Sequence, residues 1–267
     1  MIKLSSGNYL GKAEKVFNAG GIIVSITSYP DTNYSERLHC HETLHMSFVL
    51  TGGNLEKRYK RDIERMPGVT TIYDAGEIHQ STNTLPSSKN FNIEIENAFL
   101  QQYDLERELT KSSVKEPGAG FLMLKILREW EVDNLCSNTS IHALMLNFFQ
   151  EIKQQGKIGS IPTWLNNIRE LLNDRWDGNI SLNELARTVN VHPVTVSKYF
   201  PKYFGCTIGE YTRQLKIKRA IALIQTSSYS LTQIATACGF ADQSHFIRAF
   251  KQQAAFLPKK FQSLVKS

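Results

Sequence analysis

Two periodicities divide the chain. Between residues 17 and 97 the apolar positions come in short runs bounded by turn residues. Ile22-Ile23-Val24-Ser25-Ile26-Thr27 follows Gly20-Gly21, Met46-Ser47-Phe48-Val49-Leu50 precedes Gly52-Gly53, and Thr70-Thr71-Ile72-Tyr73 precedes Asp74-Ala75-Gly76. Runs of this length, rich in β-branched residues, predict strands. Phe91-Asn92-Ile93-Glu94-Ile95-Glu96 alternates apolar and polar, which predicts a strand buried on one face only. Several such strands in close succession predict an antiparallel sandwich or barrel.

From residue 98 the spacing becomes helical. Helices are predicted over Ala98–Ser112, from Pro117 to about Leu135, and from an N-cap at Asn138 or Ser140 to Gln155. In the third, Ile141, Leu144, Met145, Phe148, Phe149 and Ile152 recur at three- and four-residue steps. Such a stripe serves either as intrachain core or as a dimer seam. Gln154-Gln155-Gly156-Lys157-Ile158-Gly159-Ser160 reads as an interdomain linker. The chain thus divides into strands over 1–97, a helical coupling or dimerisation segment over 98–155, a linker at 156–161 and a last domain over 162–267.

That last domain carries an internal repeat. Leu182, Leu185, Ala186 and Val189 match Leu231, Ile234, Ala235 and Cys238 at an offset of 49, and Asn190 matches Gly239 at the same offset. Asn and Gly tolerate the left-handed conformation that a tight interhelical turn needs. Val196 and Phe200 then match Phe246 and Phe250 at an offset of 50, so the second turn is one residue longer. Helix, turn and helix, twice over, predict two helix-turn-helix units, and Gly209–Ser227 reads as a helical spacer between them.

Charge sharpens this picture. Residues 161–267 hold 14 Lys/Arg against 6 Asp/Glu, net +8, whereas residues 1–160 hold 17 against 19, net −2. A basic third joined to a slightly acidic remainder points to a polyanionic partner for one part only. A length of 267 residues suits two domains, and 41% hydrophobic with 21% charged residues suits a globular protein. No run of 18 apolar residues predicts a membrane span, and MIKLSSGNYL lacks the apolar core of a signal peptide, so a cytoplasmic location is expected. Cys40, Cys136, Cys206 and Cys238 show no C-x-x-C pairing, which predicts buried thiols rather than disulfides or a zinc finger.

SLNELARTVNVHPVTVSKYFPKYFGCTIGEYTRQLKIKRA and SLTQIATACGFADQSHFIRAFKQQAAFLP resemble the two DNA-binding units of the AraC family of transcription regulators, over about residues 162–265. The second unit holds Ile234-Ala235, Gly239-Phe240 and Gln243-Ser244-x-Phe246-x-Arg248-x-Phe250-Lys251 at the family's spacing. Departures are His192 for a capping Ser, Ile208 for Pro, Ala255 for Gly and Gln262 for Arg. The resemblance implies double-stranded DNA as partner, with a homodimer and RNA polymerase beside it. It places Val194, Thr195, Ser197 and Lys198, then Gln243, Ser244, Ile247 and Arg248, toward the major groove. Lys202, His245 and Lys251 are expected nearer the phosphates.

Residues 39–83 carry a second pattern. His39-x-His41-x(3)-His45-x(6)-Gly52 and Asp74-x-Gly76-x(2)-His79-x(3)-Asn83 resemble the two cupin motifs, with His45 for the metal-binding Glu and Asp74 for Pro. His39, His41 and His45 share parity, so one continuous strand would turn all three to the same side. The resemblance implies a small β-barrel, and thereby an α+β multidomain fold: a cupin-like barrel, helices, and an all-α domain with two helix-turn-helix units. Four imidazoles would suit zinc, nickel or iron. A metal-free pocket for an organic effector and buried hydrogen-bonded histidines fit the same residues, so no cofactor is required. The expected function is a DNA-binding regulator under a small-molecule or metal effector, and not an enzyme. The alternative is a metal-dependent cupin enzyme, a dioxygenase or isomerase, carrying a DNA-binding appendage. No acid/base constellation beyond the histidines supports it.

Overall fold

The computed structural model describes residues 1–30, 32, 34–59, 61–105, 118–132, 136–156, 159–178 and 180–266. Ten strands form two five-stranded sheets. They are β1 (Ile2–Leu4), β2 (Lys12–Asn18), β3 (Ile22–Ser28), β4 (His39–His41), β5 (Leu44–Thr51), β6 (Asn54–Arg58), β7 (Arg61–Arg65), β8 (Thr70–Tyr73), β9 (His79–Thr82) and β10 (Lys89–Ile95). One sheet runs in the order β1-β4-β9-β6-β7 and the other β2-β3-β10-β5-β8.

The four strands expected from the pattern are present within β3, β5, β8 and β10. Of the remainder, β2, β6 and β7 are too rich in charge to stand out. The alternation in β10 has a different meaning from the one expected, because the strand is buried on both faces. Phe91 meets Trp130 of a covering helix, with ring centroids 5.9 Å apart. Asn90 and Asn92 point into the space between the sheets, where Asn92 Nδ2 donates to Thr27 Oγ1 at 3.0 Å. Glu94 Oε2 accepts from Thr43 Oγ1 at 3.0 Å. Hydrogen bonds stand in for water here, so polar positions of a strand face inward as readily as apolar ones.

Ten helices are described: α1 (Asn97–Gln102), α2 (Ala119–Val132), α3 (Ser137–Gly156), α4 (Thr163–Asp174), α5 (Leu182–Thr188), α6 (Pro193–Phe204), α7 (Ile208–Thr226), α8 (Leu231–Ala237), α9 (Gln243–Ala254) and α10 (Pro258–Lys266). Of the helix expected over Ala98–Ser112, residues 106–112 lie outside the described residues, as do 133–135 at the end of the next. α2 packs on β8 and β10, burying Phe121, Met123, Leu124, Ile126, Leu127 and Trp130. α3 runs on through Gly156, so Gln154 and Gln155 are helical rather than linker, and 157–158 lie outside the described residues. Ile141, Met145, Phe148, Phe149 and Ile152 are buried within one chain, and only Leu144 of the stripe stays half-buried.

By compactness the chain forms two units, Met1–Asn147 with Phe261–Ser267, and Phe148–Lys260. Cys40 and Cys238 are buried as expected of thiols in a core, whereas Cys206 is half-buried and Cys136 exposed. Among the described residues, no helix is long and apolar enough to cross a membrane.

Candidate functional site

Each half of the α5–α9 region begins with a reciprocal cap. Ser181 Oγ accepts from the Glu184 amide at 3.2 Å while Glu184 Oε2 accepts from the Ser181 amide at 2.8 Å. Those bonds to the ionised form hold the Glu184 carboxyl below its ordinary range. Ser230 and Gln233 repeat the arrangement at the start of α8. Such capping satisfies amides that a helix start leaves without partners.

The turns repeat as well. Asn190 lies at φ 52° and Gly239 at φ 67°. Behind each, an amide reaches back to an alanine carbonyl at 3.0 Å, Val191 to Ala186 and Phe240 to Ala235. Gly239 is needed for a second reason: a Cβ there would stand 2.9 Å from the Asp177 carbonyl oxygen. Leu185, Ala186, Val196 and Phe200 share one core with Leu165, Ile168, Leu172 and Tyr211. Ile234, Ala235, Phe246 and Phe250 are buried in the second unit.

With these faces inward, the opposite faces of α6 and α9 are presented to solvent. Val194 is 64% exposed, and Ser197, Lys198 and Lys202 are exposed, while Thr195 is half-buried. On α9, Gln243, Ser244, His245, Arg248 and Lys251 are exposed and Ile247 is half-buried. Some of these side chains already hold local bonds. Ser197 Oγ donates to the Val194 carbonyl at 3.0 Å, and Gln243 Oε1 accepts from Thr232 Oγ1 at 3.0 Å. His192 caps α6 by accepting from the Val194 amide at 3.3 Å. The α9 cap is Asp242, which accepts from the His245 amide at 2.6 Å. Sequence reasoning passed over it, although Asp directly before a helical run is the expected signal. The His245 ring packs edge-on against Phe240.

A second site lies between the two sheets. The chain leaves β4 at His41 and re-enters as β5 at Leu44 in the other sheet, so His45 does not continue the strand of His39 and His41. Shared parity therefore sets no common direction for the three side chains across that crossing. His79 pairs with His39 across β9 and β4. One ring nitrogen from each of His39, His41 and His79 lies within 4.8 Å of the others, and all three residues are buried. His39 Nδ1 meets the Arg37 carbonyl at 2.9 Å and His79 Nδ1 the Glu77 carbonyl at 3.0 Å. A carbonyl only accepts, so each Nδ1 donates there, which in a neutral imidazole leaves the Nε2 lone pair for another partner.

Among the described residues, His41 Nδ1 is buried with no hydrogen-bond partner. His45 Nδ1 is likewise buried and unpartnered among the described residues, while its Nε2 lies 3.3 Å from Asn92 Oδ1 and its ring centroid 3.9 Å from that of His41. Burial, then the neighbouring His39, pushes the His41 pKa down to about 3. Burial and His39 bring His79 to about 3 also. Neutral imidazole is the form that coordinates metal.

Glu36, which the motif did not include, brings Oε2 to 3.8 Å from His39 Nε2. Beside the cluster Arg65 is fully buried, donating to Ser47 Oγ at 2.8 Å and pairing with Glu56 at 3.5 Å. Tyr73 donates to the same Glu56 carboxylate and stacks on His79. The cavity lined by these residues is about 20 Å³. That volume admits a water molecule or an ion.

The paired units, their caps and their exposed second helices define a double helix-turn-helix protein. A helix-turn-helix domain model matches residues 185–263. The probable transcription factor PqrA of Proteus vulgaris is 30% identical over 82 residues, covering 31% of this chain and 67% of that one. The Msm operon regulatory protein of Streptococcus mutans is 25% identical over 108 residues, 40% of this chain and 39% of its own length. This chain thus spans about two fifths of that relative. A solved transcriptional regulator from Chromobacterium violaceum, described as AraC-type, is 25% identical over 38% of this chain and 91% of its own, with a TM-score of 0.37. The chain belongs to the AraC family of helix-turn-helix regulators.

Proposed function

We propose that the protein is a sequence-specific DNA-binding transcription regulator whose affinity for DNA is set by an effector held between the two N-terminal sheets. The observation that carries the first part is the repeat of cap, left-handed turn and exposed second helix in α5–α6 and α8–α9. Val194, Thr195, Ser197 and Lys198 of α6 and Gln243, Ser244, Ile247 and Arg248 of α9 face base edges in successive major grooves. Lys202, His245 and Lys251 lie nearer phosphate. A homodimer on paired half-sites, contact with RNA polymerase and a cytoplasmic location complete the reading. Selection of the intact chain on a randomised duplex pool tests it. Convergence on a motif, with affinity falling steeply as salt rises, is expected. Failure to converge, together with turnover of a metabolite by the metal-loaded chain, would favour the cupin-enzyme alternative instead.

For the effector, the histidine cluster supports a divalent metal. His39, His41 and His79 offer converging nitrogens, two of them oriented by carbonyls in the manner of outer-shell partners to metal ligands. His41 Nδ1 lacks any other partner among the described residues, and Glu36 supplies a carboxylate beside His39. Nitrogen donors of this kind suit zinc, nickel or iron. The small volume, about 20 Å³, favours an ion there over an organic ligand.

A further inference from the structure

A separate cleft lies within the unit Phe148–Lys260, alongside the spacer helix α7. Its volume is about 530 Å³, within the range of small-molecule sites. Ile180, Leu182, Ile208 and Phe240 line it with apolar surface, and Arg213 and Lys216 bring two cations from successive turns of α7. Among the described residues the lining contains no Asp or Glu. Lys216 is only 8% exposed, and among the described residues its ammonium makes one hydrogen bond, to the Gly239 carbonyl oxygen at 2.8 Å. An ammonium has three donors, and no carboxylate pairs with this one among the described residues. A buried charge without a counter-ion is costly, and an anion in the cleft would relieve that cost.

We propose that this cleft binds a small organic anion, with its charged group on Lys216 and Arg213 and an apolar body against Ile180, Leu182, Ile208 and Phe240. A phosphate of the DNA backbone has the same charge, but it has no apolar body to cover those four side chains. Ser197 of α6 and His245 of α9 also line the cleft. Both are among the residues assigned to DNA above, so ligand and DNA share groups and each changes the affinity for the other. That linkage rests on the DNA-binding reading, whereas occupancy of the cleft does not.

Gly209 supplies the test. It lines the cleft, and a Cβ added there meets nothing within 4 Å, so a side chain can start from that wall and Gly209→Leu is chosen to occlude the site. The full chain is titrated with the fluorescent sulfonate 1-anilinonaphthalene-8-sulfonate, with thermal unfolding followed in parallel. Wild type is expected to bind one saturable equivalent. Gly209→Leu and Arg213→Gln are each expected to weaken it at least tenfold while the chain still melts cooperatively. Biphenyl-4-carboxylate should displace the dye at a concentration at least tenfold below that of inorganic phosphate. The selected duplex should weaken dye binding by a reproducible factor. Dye binding unchanged in Gly209→Leu would overturn the proposal even if Arg213→Gln fails to fold. Phosphate as effective as the aromatic carboxylate would overturn it too, leaving the cleft as a seat for phosphate. Dye binding that responds to both substitutions but not to the duplex would remove the linkage and keep the site.

Discussion

Arg248 and Lys251 stand three residues apart on the same exposed side of α9, yet they are assigned different work. A guanidinium can grip guanine O6 and N7 together, while an ammonium at the helix end offers a point charge suited to phosphate. Arg248→Ala should therefore cost about 1–3 kcal/mol on the selected sequence and relax preference at one guanine. Lys251→Ala should weaken all duplexes alike and reduce the salt slope by about 1. Binding isotherms on matched and mismatched duplexes at several salt concentrations separate the two. Equal losses regardless of sequence would defeat the division. Metal belongs to the same scale. Elemental analysis of untagged protein should find about one zinc, nickel or iron per chain, lost in His41→Ala and in His79→Ala. His45→Ala should retain it, because the nitrogens that converge within 4.8 Å are those of His39, His41 and His79, whereas His45 packs its ring on His41 and commits Nε2 to Asn92. Wild type that neither carries nor takes up any of the three metals would end the metal reading.

Helix ends carry the predictions at the scale of elements. α6 and α9 both finish on a left-handed residue, Gly205 at φ 69° and Ala255 at φ 60°. Alanine is strained in that region, and glycine is not. Ala255→Gly should therefore raise stability by about 1 kcal/mol, and Gly205→Ala should lower it by a similar amount. Urea unfolding read by circular dichroism measures both, and a loss from Ala255→Gly would contradict the cap geometry. The α3 stripe responds differently from an interface. Phe148 is 7% exposed and Met145 0%, so Phe148→Glu should cost several kcal/mol by burying an unpaired carboxylate. A folded Phe148→Glu chain that had merely lost a dimer in sedimentation would reverse this assignment and restore the seam.

For the whole molecule, legibility in the sequence followed range. The two helix-turn-helix units were readable because their determinants are local. Ser181 and Ser230 lie three residues from the groups they exchange hydrogen bonds with, Asn190 and Gly239 mark their own turns, and a 3.6-residue period sorts buried from exposed. The sequence by itself therefore determined which faces of α6 and α9 meet solvent, and with them the family. The N-terminal site depended on strand pairing between distant segments. Only the tertiary structure carried the chain across to the other sheet between His41 and Leu44, bringing His45 against the His41 ring from the opposite sheet and Glu36 to within 3.8 Å of His39. It also turned Asn90 and Asn92 inward, and it buried Arg65 against Glu56, nine residues earlier on the paired strand. Period alone tells which residues of a strand share a face. Which face is buried, and which distant residues it meets, is decided by how the sheets pair and stack.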